Sequence, residues 1–124
     1  REISLTNNST GSTDAALRVR FVETWTEPSS VFGGIDEVFS NYKNGAHVAT
    51  FDYGDDWGKF TEGDDGWFYY NGVFHPGESL DIFDGVTLTD ASYNTYDYEL
   101  TFMYEAIEAN PVAVQEEWGR VMDI

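Results

Sequence analysis

Apolar and polar side chains alternate with a period of two along most of this chain. The clearest run is Ala15 to Trp25, where Leu17, Val19, Phe21 and Glu23 share one face and Arg18, Arg20, Val22 and Thr24 the other. That is the pattern of a strand with one side on a core. Tyr96 to Ala109 repeats it, with Tyr98, Leu100, Phe102, Tyr104 and Ala106 opposite Glu99, Thr101, Met103, Glu105 and Ile107. Shorter strands are predicted at Glu2–Thr6, His47–Asp52, Trp57–Phe60, Gly66–Asn71, Ser79–Phe83 and Val86–Thr89. Gly54-Asp55-Asp56, Gly63-Asp64-Asp65-Gly66, His75-Pro76-Gly77 and Asp84-Gly85 supply turn chemistry between them, and Asn71-Gly72 is the strongest two-residue hairpin signal. Glu27 to Lys43 reads as a long loop with room for one helical turn, because Gly33-Gly34 interrupts the spacing of Val31, Phe32, Ile35, Val38 and Phe39. Only the end changes period. Asn110 is an N-cap, Pro111 suits the first helical position, Val112 to Trp118 makes two turns and Gly119 stops them. The expected class is all-β, an antiparallel β-sandwich of jelly-roll type with one short C-terminal helix.

Composition narrows the partners. The 124 residues correspond to one domain, 1–124, long enough to bury roughly two thirds of the surface of the unfolded chain. Aromatic residues make up 17%, which excludes disorder despite the acidity. There are 23 acidic and 6 basic side chains, a formal net charge of −17. No basic face can be assembled from so few cations, so nucleic acid and anionic membrane surfaces are not expected partners. No apolar run reaches the length of a membrane span, so no membrane insertion is expected. With no cysteine, disulfides, thiolate catalysis and cysteine-based zinc sites are excluded, while export stays open.

The residues fit few known chemistries. Zinc proteolysis needs two histidines on one helical face, and His47 and His75 are far apart with His75 in a Pro-Gly turn. There is no G-x-S-x-G for a nucleophilic serine. A carboxylate pair for glycoside hydrolysis cannot be singled out among so many acids. Trp25, Trp57 and Trp67 would stack on sugars if exposed, although tryptophans more often fill cores. Asp52, Asp55, Asp56, Asp64 and Asp65 cluster in two neighbouring turns and offer a candidate cation site, calcium being the ion such oxygens suit; otherwise no cofactor is expected. Arg18 and Arg20 are expected to meet carboxylates on an adjacent strand as a solvated ion pair, worth under about 1 kcal/mol.

The order of these segments is familiar. Arg18-Val19-Arg20-Phe21 follows a polar Asn7-Asn8 stretch; Asp65-Gly66-Trp67-Phe68-Tyr69-Tyr70 leads into Phe74-His75-Pro76-Gly77-Glu78-Ser79; Tyr98-Glu99-Leu100 runs to Glu105-Ala106-Ile107-Glu108-Ala109; Val114 to Trp118-Gly119 closes the chain. Taken together they resemble the exported Gram-positive proteins matured by the SipW-type signal peptidase, the TasA, camelysin and BsaA-like biofilm matrix family. The residues that carry the likeness are Arg18, Arg20, Gly66, Trp67, Tyr69, Tyr70, Pro76, Gly77, Glu78, Glu105, Trp118 and Gly119. The chain departs from the family at Glu108, where glutamine is usual, and at Ser4-Leu5-Thr6-Asn7-Asn8, where Val-Lys-Asn-Thr-Gly is usual. The resemblance implies a secreted subunit of a biofilm matrix or cell-surface fibre that joins itself or a homologous subunit by β-strand addition. It also implies a native N-terminal strand that the 124 residues lack. The camelysin protease label is not carried over, since no zinc motif is present, and no enzymatic activity is expected. The alternative reading is an extracellular module that binds carbohydrate or a cation.

Overall fold

The computed structural model describes residues 2–9, 11, 13–43 and 45–121. Ten strands run in chain order: β1 (Ile3–Thr6), β2 (Ala15–Glu27), β3 (Glu37–Phe39), β4 (Tyr42–Lys43), β5 (Ala46–His47), β6 (Ala49–Tyr53), β7 (Phe60–Glu62), β8 (Phe68–Tyr70), β9 (Ser79–Leu88) and β10 (Asp97–Glu108). One α-helix follows, α1 (Pro111–Trp118). The class is all-β, as the alternation predicts, with antiparallel sheets of the β-sandwich kind and a single short helix at the C-terminal end. One sheet has the order β1-β9-β6, a second β10-β2-β8-β7 with β3 also on β2, and β4-β5 is a small ribbon. These orders do not by themselves make a jelly roll.

The chain divides into two compact units. One comprises Arg1–Arg20, Tyr53–Asp84 and Met103–Ile124, the other Phe21–Asp52 and Gly85–Phe102. The chain passes from one to the other within β2, β6, β9 and β10. The first unit buries Ala16, Leu17, Val19, Tyr69, Phe74, Leu80, Ile82, Phe83 and Val114. The second is built on Trp25, Val48 and Ala49, with Phe39, Val86, Leu88, Tyr93, Tyr96 and Tyr98 packed around them. On the odd-numbered face of β2, Leu17 and Val19 are buried in the first unit and Trp25 in the second.

Several local expectations change. Trp57 to Phe60 is a 3-10 turn (Trp57–Lys59) leading into β7, because a strand there would lack a partner until Phe60 meets Tyr70. Within Glu27 to Lys43 the loop is confined to residues 28–36 and closes a β-hairpin, in which Trp25, Thr26 and Glu27 pair with Phe39, Val38 and Glu37, while Tyr42–Lys43 is a strand of the small ribbon. Asn71-Gly72 forms no two-residue hairpin. Gly72 does not take a positive φ, and Asn71 is used sideways, its N–H bonding to Lys59 O at 2.8 Å and its carbonyl accepting from the Thr61 hydroxyl at 2.7 Å. The two strands foreseen around Asp84-Gly85 are one, β9, because Gly85 continues the chain at φ 151°, a value glycine tolerates and other residues avoid. In β10 the strict alternation fails at Phe102 and Met103, both half-buried, so Met103 and Ile107 face inward beyond that point, where Tyr104 and Ala106 were expected. The terminal helix forms as read. Asn110 Oδ1 accepts from Val112 N–H, and Gly119 caps the end at φ 63° with its N–H on Gln115 O.

Candidate functional site

The β7–β8 hairpin places an aromatic face over Arg18. Its turn is held by Gly63 N–H on Trp67 O at 2.7 Å, by Trp67 N–H on Asp65 Oδ1 at 3.0 Å and by Gly66 at φ 85°. The Arg18 guanidinium then lies 4.2 Å from the centre of the Trp67 ring and 4.8 Å from that of Trp118. It donates to the Tyr69 hydroxyl at 3.2 Å and, through Nε and Nη2, to the Glu105 carboxylate on β10. Burial opposes the charge on Arg18, but the bonds to Tyr69 and Glu105 outweigh it and hold its pKa above the usual value. The Tyr69 hydroxyl donates in turn to Asp65, which keeps that carboxyl below its ordinary range. Arg120 covers the Tyr69 ring at 3.6 Å. The predicted carboxylate partner of Arg18 is therefore real, and the pair is solvated on the Glu105 side alone. Only 15% of the arginine side chain is exposed, between two indoles.

Most of the residues singled out by pattern fall here or beside it. Arg18, Trp67, Tyr69, Glu105 and Trp118 meet in this cluster. Gly66 leaves room for Arg20, whose guanidinium carbon would lie 3.8 Å from a Cβ added there. Pro76 and Gly77 form a turn with Gly77 at φ 83° and Glu78 N–H on His75 O, and Glu78 accepts from the Tyr70 hydroxyl at 3.3 Å. Gly119 stops the helix that carries Trp118. Arg120 and Asn7 were not foreseen as structural residues. Only their place beside Trp118-Gly119 and Ser4-Leu5-Thr6 could have marked them.

Asn7 leads to the second feature, a groove of about 560 Å³. Its walls are β1 (Leu5, Thr6) and β10 (Tyr104, Ala106, Ile107, Glu108), and Ala15, Leu17 and Phe74 are among its lining residues. β1 ends one sheet and β10 ends the other among the described residues. The buried Asn7 side chain donates to Phe74 O at 2.8 Å and accepts from Ser9 N–H, while its backbone bonds to Glu78 O and Gly77 N–H. At the rim, the Asp14 carboxylate meets His75 Nδ1 at 2.9 Å, which raises the His75 pKa. The groove is thus lined by residues of the end strands of two sheets, mixes apolar with polar side chains, and has its Asp14 carboxylate paired with His75.

The sugar-stacking candidates and three of the five cation candidates are spent on internal contacts. Trp25 is core, and its indole N–H bonds to Glu23. Trp57 stacks face to face with Tyr53 at 4.7 Å and against Phe60 at 5.3 Å, and Trp67 is covered by Arg18. Asp52 accepts from the Thr87 hydroxyl; Asp56 pairs with Lys59 and accepts from Asp81 N–H; Asp65 serves Tyr69 and Trp67. Asp55 donates its N–H to Asp81, and Asp64 is exposed. Among the described residues no three His, Cys, Asp or Glu side chains are grouped to hold a metal ion. No helix among them is long and apolar enough to cross a membrane. No known family model, curated protein or solved structure matches the chain.

Proposed function

We propose that this protein is an exported structural subunit, of a matrix or cell-surface fibre, that assembles by accepting a β-strand from a neighbour. The observation that carries the reading is the groove lined by β1 and β10, the end strands of two sheets, with Leu17 and Phe74 among its lining residues. A strand edge offers unpaired N–H and C=O groups, and an added strand bonds to them while seating alternate side chains in the groove. The resemblance of the ordered motif blocks to the SipW-dependent matrix proteins supports the same reading and supplies the secreted location. The carbohydrate- or cation-binding alternative is less well supported, since Trp25, Trp57 and Trp67 pack against other side chains, Asp52, Asp56 and Asp65 hold internal hydrogen bonds, and no three acids are grouped among the described residues.

The test is binding of extended ten-residue peptides of alternating valine and threonine, followed by fluorescence anisotropy and by amide exchange along β1 and β10. Binding that protects either edge, and that is abolished by Ala106→Trp in the groove wall, is the expected result. A folded chain that binds none of these peptides and shows no change in edge exchange would reject strand addition.

A further inference from the structure

The β2–β3 hairpin carries an apolar tip with no cover. Phe32 is fully exposed, Ile35 is 93% exposed, Val31 69% and Val38 64%. These side chains are displayed on an ordered loop. The Gly34 N–H bonds to Val31 O at 2.8 Å with Gly33 at φ 77°, and Ser29 N–H bonds to Asp36 Oδ1 at 2.8 Å, closing the loop at its base. Below it Glu27 and Glu37 sit directly opposite in the strand pairing, a like-charge arrangement that destabilises a ladder. Lys43 bridges both carboxylates and offsets that repulsion. From Val31 to Ile35 five consecutive residues carry no charge, in a chain whose net charge is −17.

We propose that this hairpin is a self-association face, which packs against the same hairpin of a second copy. Exposed apolar clusters of this kind mark interaction sites. The occupant follows from charge, area and symmetry. Like copies of so acidic a chain repel over most of their surface, and an uncharged tip, above a base whose facing glutamates share Lys43, is where two copies approach at least electrostatic cost. Two such tips pressed together, with their hairpin flanks, remove on the order of 1,000 Å² from water, about the floor for a specific interface. An isologous contact covers both tips at once, whereas a head-to-tail contact would leave one bare. Among the described residues β3 pairs with β2 alone, so its outer edge is available to continue the sheet across the twofold. Acidic Asp36 and Glu37 beside the tip disfavour insertion into a bilayer, because each would have to approach the low-dielectric interior. This contact is independent of the groove and of strand addition.

The experiment is sedimentation of the intact chain in 0.15 M salt, up to about 100 µM protein, with Phe32→Asp as the variant. A concentration-dependent doubling of mass is expected, with the dissociation constant raised at least about 30-fold by Phe32→Asp while the thermal midpoint stays put. The chain has no cysteine, so Ile35→Cys provides a clean second readout. It should form a disulfide-linked dimer on mild oxidation, while Val112→Cys, an exposed helix position, should not. Ala106→Trp, which fills the groove, should leave the dimer intact, and this separates the inference from strand addition. A monomer at every concentration would overturn it. So would a dimer indifferent to Phe32→Asp and Ile35→Cys, or Phe32-dependent binding of a monomer to phosphatidylcholine vesicles.

Discussion

Glu23 occupies an inward-facing position of β2, two residues from the buried Trp25, and its neighbours only partly compensate it. Burial raises its pKa, against hydrogen bonds from the Trp25 indole and from Asn41 that favour the charged form. The Tyr98 ring lies 4.4 Å from Trp25, and its hydroxyl is buried without a hydrogen-bond partner among the described residues. Burial, and then the nearby Glu23 charge, push the Tyr98 pKa up to about 12. A glutamine at 23 keeps an oxygen for the indole N–H and removes the charge. The sign is set by linkage. A carboxyl whose folded pKa lies above its unfolded value penalises the fold when ionised, and the penalty disappears as pH falls through the raised value. Glu23→Gln should therefore raise stability at pH 7 by up to about 1 kcal/mol, a ceiling set by the screening of a half-buried group. The advantage should vanish as Glu23 itself protonates below its raised value. Thermal midpoints of the two proteins from pH 7 down to pH 4 measure this, and equal midpoints at pH 7 would refute it. Asn41 illustrates a residue-scale feature no pattern announces. It sits at φ 112°, held there by its side chain, which accepts from Val48 and Ala49 N–H and donates to Ala49 O. Such a backbone is tolerated because three local bonds fix it.

At the scale of elements, α1 docks on the sheet through Val114 and Trp118, with the Arg18 cation against the Trp118 ring. The helix contributes the buried Val114 and the Trp118 ring, and Trp118 meets Arg18 at 4.8 Å and Tyr69 at 5.9 Å. A two-turn helix has little intrinsic stability, so its docking must come from these contacts. Arg18→Lys keeps the charge but loses the planar stack between the indoles and the forked bond to Glu105. It should destabilise the chain by about 2 kcal/mol. Amide exchange in residues 111–118 should accelerate more than exchange in β2 itself. Equal acceleration everywhere would show that Arg18 is a general core residue and does not fasten the helix. The long strands and this helix were legible because their signals are local: period-two runs for β2 and β10, and the cap, proline and glycine around α1. The 3-10 turn, the β2–β3 hairpin and the single β9 were not, because each depends on pairing with a segment distant in sequence or on one backbone angle at Gly85. The residues of the Arg18 cluster could be picked from the motif blocks, but their convergence depends on strand order, which periodicity does not contain. The groove was legible only as an open edge that the resemblance implied. The acids of the cation candidate looked alike in sequence, and only their hydrogen bonds separate them.

For the whole molecule the governing quantity is the net charge of −17. Strand addition and hairpin pairing both require two such surfaces to come within a few ångströms. Repulsion between them is screened over about 8 Å at physiological salt and about 3 Å at 1 M. Lowering the pH toward 4 protonates exposed carboxylates, whose ordinary pKa values lie near that pH, and so reduces the charge itself. The groove rim moves the same way, because His75 stays protonated beside Asp14 across the acid range. Association should therefore strengthen steadily as pH falls from 7 to 4.5, and at neutral pH as salt rises. Light scattering with electron microscopy of the particles measures the onset. Divalent ions discriminate between screening and a built site. Screening treats magnesium and calcium alike, at millimolar concentrations where they shorten the Debye length. If calcium alone drove association at micromolar levels, a specific site would be forming between copies, and charge would not be the control. If neither pH nor salt moved the onset, the acidity would serve solubility only, and the contacts proposed at the groove and the hairpin would have to form without the approach step described here.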